Sequence, residues 1–165
     1  MDWDVIDGAL KVMDAWSPTS SYRGTFTPDE LVAIDHPLPG LYMVYSLNTD
    51  QIRPGKIGHW TVVNVISESG NGVHLEYFDS LALKPYYLNP YIDCFIANNF
   101  STYTHCTHSV QSTDSNSCGY FALCYCYFSV IQGLSLKEIM SKFGKGQYSE
   151  NEEFVRKLCF HLFYI

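Results

Sequence analysis

The stretch QSTDSNSCGYFALCYCYF, residues 111–128, passes from a polar, serine-rich segment into an almost uncharged apolar run, with a Cys-Gly pair at the junction. From Cys118 to Gln132 the run is too long for an ordinary strand, is rich in helix formers, and stops at Gly133, so it predicts a buried helix. A cysteine that opens a helix lies among free amide hydrogens at the positive end of the helix dipole, which favours thiolate over thiol. Gly119 allows another backbone to approach closely, and Ser115, Asn116 and Ser117 offer N-caps and a tight turn. A Cys-Gly pair alone is as compatible with plain packing, because cysteine is among the most buried residue types. The rest of the chain decides between the two readings.

Upstream, HWTVVNVIS (59–67) is apolar on both faces, as expected of a central strand. VHLEYFDSL (73–81) alternates like a strand with one drier face, and ESGNG (68–72) supplies the turn between the two. LYMVYSL (41–47) and THCTHSV (104–110) read as further strands. Residues 2–16 carry an apolar stripe of Trp3, Ile6, Leu10 and Met13, widened by Val5, Ala9 and Val12, which predicts an amphipathic helix. SPTSSYRGTFTPDEL (17–31), with Pro18, Gly24 and Pro28, and HPLPG (36–40) read as ordered loop. Ser135 with Glu138, and Ser149 with Glu152, fit capping boxes that open two later helices. The expectation is one α+β domain over 1–165: a mostly antiparallel or mixed central sheet, a buried helix with a cysteine at its N-terminus, and peripheral helices.

On these elements four residue types converge. His59 falls between the Gly-containing loop RPGKIG (53–58) and the strand that starts at Trp60, where rigid backbone fixes an imidazole yet leaves it in reach of a cleft that Trp60 can wall. Asp79 ends the neighbouring strand, so its carboxylate can hold one imidazole nitrogen and stabilise the imidazolium. Gln111, seven residues before Cys118, carries an amide NH₂ that can bind an oxyanion together with the backbone N–H of Cys118. Nucleophile, base, orienter and oxyanion donor are the parts of an acyl-transfer site. Each residue taken singly also has a plain structural explanation; the order and spacing of the four carry the reading.

Charge and cysteine chemistry narrow the partners. A net charge of −7, with only ten basic residues scattered along the chain, argues against general nucleic-acid binding and against activation by DNA, since phosphate affinity comes from Lys and Arg releasing counterions. No apolar run approaches a bilayer span, and the acidic start MDWDVIDGALKVMDAW lacks the basic region of a signal peptide, so neither membrane insertion nor secretion is expected. The six cysteines are accordingly read as thiols rather than a disulfide framework, with Cys124 and Cys126 as core packing. His105-Cys106-Thr107-His108 does not make a metal site, because strand alternation sends its ligands to opposite faces and no second pair has zinc spacing.

The His59-Trp60 pair, the Tyr77-Phe78-Asp79-Ser80 strand end, and Gln111 seven residues ahead of Cys118-Gly119-Tyr120-Phe121 resemble the adenain-like cysteine peptidases of adenoviruses, Polinton-like elements and related DNA viruses. Tyr22-Arg23-Gly24-Thr25-Phe26, Asp29-Glu30-Leu31 and Pro54-Gly55 are similar to the N-terminal part of that family. The resemblance implies a cysteine endopeptidase that processes viral or viral-like-element capsid and core precursors after glycine, in the virion and the interior of a host cell, as a monomer. Gly119 and Trp60 would flank a narrow substrate cleft. No cofactor is required by the sequence; the family's activating peptide, disulfide-linked to a cysteine upstream of the glutamine, makes Cys106 its candidate partner here. Many adenovirus enzymes have glutamate where this chain has Asp79, a change that keeps the carboxylate and shortens its reach. The deSUMOylating ubiquitin-like-protein proteases share the His, Asp, Gln, Cys order with the glutamine one residue nearer the cysteine, and papain-type enzymes have the opposite order of cysteine and histidine. An isopeptidase on ubiquitin-like modifiers, an acyltransferase built from the same residues, and a non-catalytic binding module are the rival readings.

Overall fold

The structure, a computed structural model, describes residues 1–17, 22–47, 55, 58–68 and 72–165. Pro18, all of the loop at 53–58 but Gly55 and Gly58, and the centre of the 68–72 turn lie outside the described residues. Among the described residues the strands form one five-stranded sheet in chain order: β1 (Tyr22–Phe26), β2 (Gly40–Ser46), β3 (His59–Ser67), β4 (Val73–Phe78) and β5 (Thr104–His105). The three central strands pair antiparallel and the two outer pairings are parallel, giving the mixed sheet of the expected α+β class.

β3 is the middle strand, and seven consecutive residues from His59 to Val65 are buried. Both faces are covered because helices pack on each side of the sheet. Leu41, Met43, Trp60, Val62 and Phe78 meet α1 (Trp3–Trp16), α5 (Cys118–Cys126), α6 (Leu136–Met140) and α7 (Tyr148–Phe163). The alternate residues Tyr42, Val44, Val63, Leu75 and Tyr77 meet α2 (Pro28–Val32), α3 (Pro85–Leu88) and α4 (Pro90–Asn99). The period-two alternation of the strands thus feeds two cores at once.

Several expectations are corrected. The segment 17–31 is not loop where it is described: Tyr22–Phe26 is an edge strand parallel to β2, and Pro28–Val32 a short helix with Pro at its first turn and a Thr27/Glu30 capping box. Tyr22, Thr25 and Phe26 are strand-favouring types, but Gly24 and the register shift beside it break the alternation that would mark the strand. β4 has no wet face, because Glu76 is buried, accepting from Tyr125 Oη at 2.6 Å and from the Leu136 amide at 2.8 Å. The strand expected over 104–110 is confined to Thr104–His105. Ser135 and Glu138 do form a capping box, but α7 begins at Tyr148, which places Ser149 inside the helix rather than at its cap. α5 continues beyond Cys126 as a π-helical turn, Tyr127–Ile131, before Gly133 in a left-handed conformation ends it.

Candidate active site

His59 is the first residue of β3, opposite Ser46 of β2. Gly58 before it has φ +74°, and a Cβ there would collide with the Tyr45 ring, so this close approach requires glycine. Asp79 follows the last residue of β4. Because β3 and β4 are antiparallel neighbours, the start of one lies near the end of the other, and His59 Nε2–H donates to Asp79 Oδ1 at 2.7 Å. Asp79 Oδ1 also accepts from the Leu81 amide at 2.8 Å, which fixes the carboxylate against its own turn. With Nε2 committed to Asp79, Nδ1 is the imidazole nitrogen left for Cys118, whose side chain hydrogen bonds with that of His59. The structure therefore brings His59, Asp79 and Cys118 together from strand start, strand end and helix start.

The charge state of the imidazole follows from these neighbours. Burial disfavours the imidazolium, but the Asp79 charge and hydrogen bond oppose it, the Cys118 hydrogen bond and charge add to them, and His59 is raised from 6.5 to about 9. At neutral pH the ring is a cation held between two acidic side chains.

Cys118 is the first residue of α5, as expected. The cap is built differently from the expectation. Ser117 is the N-cap residue by position, but its side chain makes no cap hydrogen bond; its Oγ accepts from Arg156 Nη2 at 2.8 Å and donates to Glu152 Oε2 at 3.3 Å, tying the helix start to α7. Arg156 also lies 4.7 Å over the Tyr120 ring, so the turn that carries the thiol is clamped from outside the sheet.

Gln111 is buried, and its side-chain amide is oriented at both ends: Oε1 accepts from Ser80 Oγ at 2.6 Å and Nε2 donates to the Ser115 carbonyl at 3.0 Å. Backbone bonds from Val110 and Gln111 to the Ser80 carbonyl staple the segment to the turn that carries Asp79. The glutamine NH₂ retains a second proton beyond the one given to Ser115, and Gln111 lines a pocket of about 220 Å³ with Leu81, Leu83, Ser112 and Tyr148 that includes neither Cys118 nor His59. Two larger cavities, of about 660 and 520 Å³, flank Glu76 and contain none of the four residues. Ser80 is a residue that sequence reasoning missed. A serine after a strand-ending aspartate looks like turn chemistry, and its partner is 31 positions away.

The two cleft residues have company. Trp60 is 2% exposed; its ring lies 4.5 Å from Tyr45 and 5.8 Å from Trp3, and its Nε1–H donates to the Met1 carbonyl at 3.1 Å. A Cβ on Gly119 would stand 2.9 Å from Met1 Cβ and 3.3 Å from Trp60 Cδ1. The space beside Gly119, expected for a substrate backbone, is taken here by the Met1 side chain.

The other cysteines differ in kind from Cys118. Burial pushes Cys106 up to about 12 and also raises Cys124 and Cys126. Cys106 is 3% exposed, so a mixed disulfide at this sulfur would need its segment to open, which argues against it as an activator's anchor. Cys124 Sγ and Cys159 Sγ face each other at 3.8 Å in the core between α5 and α7.

No protein-family model and no curated protein matches the chain. Among solved structures it is similar to ChlaDub1 from Chlamydia trachomatis, with a TM-score of 0.59 at 15% identity over 98% of this chain and 92% of that one. It is similar in the same degree to the C. trachomatis effector protein Cdu1 bound to ubiquitin, with a TM-score of 0.59 at 14% identity over 98% and 91% of the two chains. The chain shares their fold. A second structure of the effector protein ChlaDUB1 gives the same TM-score at 13% identity.

Proposed function

We propose that the chain is a cysteine peptidase in which Cys118 is the nucleophile, His59 the base and then the acid, Asp79 its orienter and Gln111 the oxyanion donor. The observation that carries this reading is the short His59 Nε2 to Asp79 Oδ1 contact with Cys118 bonded to the same ring. The Cys118 sulfur, its proton passed to His59, attacks the scissile carbonyl carbon. Charge that develops on the carbonyl oxygen is met by the Gln111 Nε2–H and the Cys118 backbone N–H at the head of α5. The imidazolium gives its proton to the departing amine, leaving a thioester; His59 then takes a proton from water, which releases the acid and restores the thiol.

Gln111→Ala is expected to lower kcat by about 10²-fold with little change in KM, because an oxyanion donor acts more strongly on the transition state than on the substrate. Steady-state kinetics on a peptide substrate checks it, and an unaltered kcat would place oxyanion stabilisation elsewhere. Ser80 acts through Gln111 in this scheme, holding its carbonyl end so that the NH₂ end serves the reaction.

For the substrate, the resemblance carried by the Gln111–Cys118 interval and the close packing of Trp60 beside Gly119 favour chains with glycine on the acyl side, as in the precursor processing of adenain-like enzymes in the virion or host cell. A second reading is favoured by the fold shared with Cdu1, whose structure is bound to ubiquitin: an isopeptidase or processing enzyme for ubiquitin-like modifiers. The two separate on one measurement. A maturation peptidase cleaves short Leu-x-Gly-Gly peptides well, whereas a modifier protease draws its binding energy from a folded partner and turns isolated peptides over poorly. A kcat/KM higher for ubiquitin-like conjugates than for the peptides by several orders of magnitude would remove the precursor reading and leave the catalytic residues standing.

A further inference from the structure

We propose that residues Met1–Trp3 lie over Trp60 and Gly119 on the surface where substrate binds, so that a substrate must displace them, and that this surface takes an extended peptide whose backbone carbonyl accepts from the Trp60 indole. The inference rests on the reading of Cys118 and His59 as nucleophile and base, and it names what covers them. His59 is 0% exposed and Cys118 6% exposed, so little of either residue faces solvent. The residues next to them in sequence, Trp60 and Gly119, are the two that Met1 touches.

The occupant has the form of a bound peptide. Asp2, the N-cap of α1, is extended, with φ −80° and ψ 158°, so the helix starts at Trp3 and Met1 is directed away from its axis. Its Met1 carbonyl accepts from the indole N–H, its Met1 side chain lies over the face of Gly119, and the Trp3 ring closes on Trp60 and, at 6.4 Å, on Tyr45. The hold is separable from the rest of the fold. α1 is anchored by Ile6, Ala9, Leu10 and Met13, all in the core, while the Asp2 side chain makes no cap bond that ties residues 1–2 to the helix. Lifting Met1 and Asp2 costs the indole hydrogen bond, the contact on Gly119 and the 3.3 Å bond from the Ile6 amide to the Asp2 carbonyl, while the core anchors of α1 stay in place.

The rate at which any reagent reaches Cys118 scales with the fraction of molecules in which the cleft is open. Cys94, the exposed cysteine on α4, is first replaced by serine. The full chain is then compared with a chain that begins at Trp3, released from a cleavable fusion, by iodoacetamide modification of Cys118 followed by mass spectrometry. Removal of Met1 and Asp2 is expected to accelerate modification of Cys118 about tenfold, with the thermal midpoint unchanged. Trp3→Ala, which keeps the chain length, gives the same readout should the shortened chain fail to fold. Equal modification rates in the full chain and in the folded variants would overturn the proposal. Cleavage of a Leu-x-Gly-Gly peptide, followed in parallel, is expected to rise by a similar factor. Faster modification with no cleavage in any form would keep the occlusion and remove the peptidase reading. Cleavage with unchanged modification and unchanged kcat/KM would do the reverse.

Discussion

Cys118→Ala is expected to abolish peptide hydrolysis while leaving the folded state almost untouched. The thiol is the one cysteine bonded to the His59 imidazole, and without it no acyl-enzyme forms. Stability changes by about 1 kcal/mol or less, because alanine is accepted at the first turn of a helix and only one small atom is lost. Cys124→Ala and Cys126→Ala behave in the opposite way. Both sulfurs are buried in the core with their thiols raised by burial, so these substitutions leave the chemistry intact and cost packing. Peptide turnover beside thermal denaturation of the three variants checks all of this. Full activity in a Cys118→Ala preparation would end the mechanism.

The second large effect is expected at Asp79→Asn. Asparagine keeps the shape and an oxygen for the Leu81 amide, so the turn survives. It removes the charge that raises His59, because the oxygen kept on the Leu81 amide is the same Oδ1 that accepts from the imidazole and is now neutral. A fall in kcat on the order of 10³-fold follows. The pH dependence should move with it. In the parent protein His59 is raised to about 9, so the alkaline limb of activity is expected near that pH. In Asp79→Asn that limb shifts towards the acid side. Folding carries the same signature, with the sign set by a raised histidine pKa: the stabilisation is fully present below the ordinary value of 6.5 and is lost as pH rises through about 9. Urea denaturation near pH 6 and above pH 9 should therefore show a loss of stability on the alkaline side that Asp79→Asn lessens. A pH-rate profile with the same alkaline limb in both proteins would detach Asp79 from His59.

How much of this was legible from residues depends on the range over which each feature is encoded. Where information is local, the sequence is sufficient: the two-sided apolar run of β3, the stripe of α1, the Ser135/Glu138 box and the helix that Cys118 opens are each set by side chains within a few positions of one another. The pairing of His59 with Asp79 belongs here too, since antiparallel β3 and β4, neighbours in the chain, bring the start of one to the end of the other, whereas Cys118 reaches His59 only through the packing of α5. YRGTF became an edge strand through backbone pairing to β2, which side-chain pattern does not record, and the helices α3 and α4 cover a sheet face without a strong stripe of their own. Only the tertiary structure decided that Glu76 is buried, because an acidic residue on an alternating strand reads as solvent-facing until a tyrosine and a helix amide are placed on it. The same holds for Ser80 on Gln111 and for Met1 on Trp60, contacts across 31 and 59 positions. Hydrogen bonds of this kind need two groups at a set distance and angle, and that distance is fixed by how the sheet and helices pack, not by the residues that lie between them.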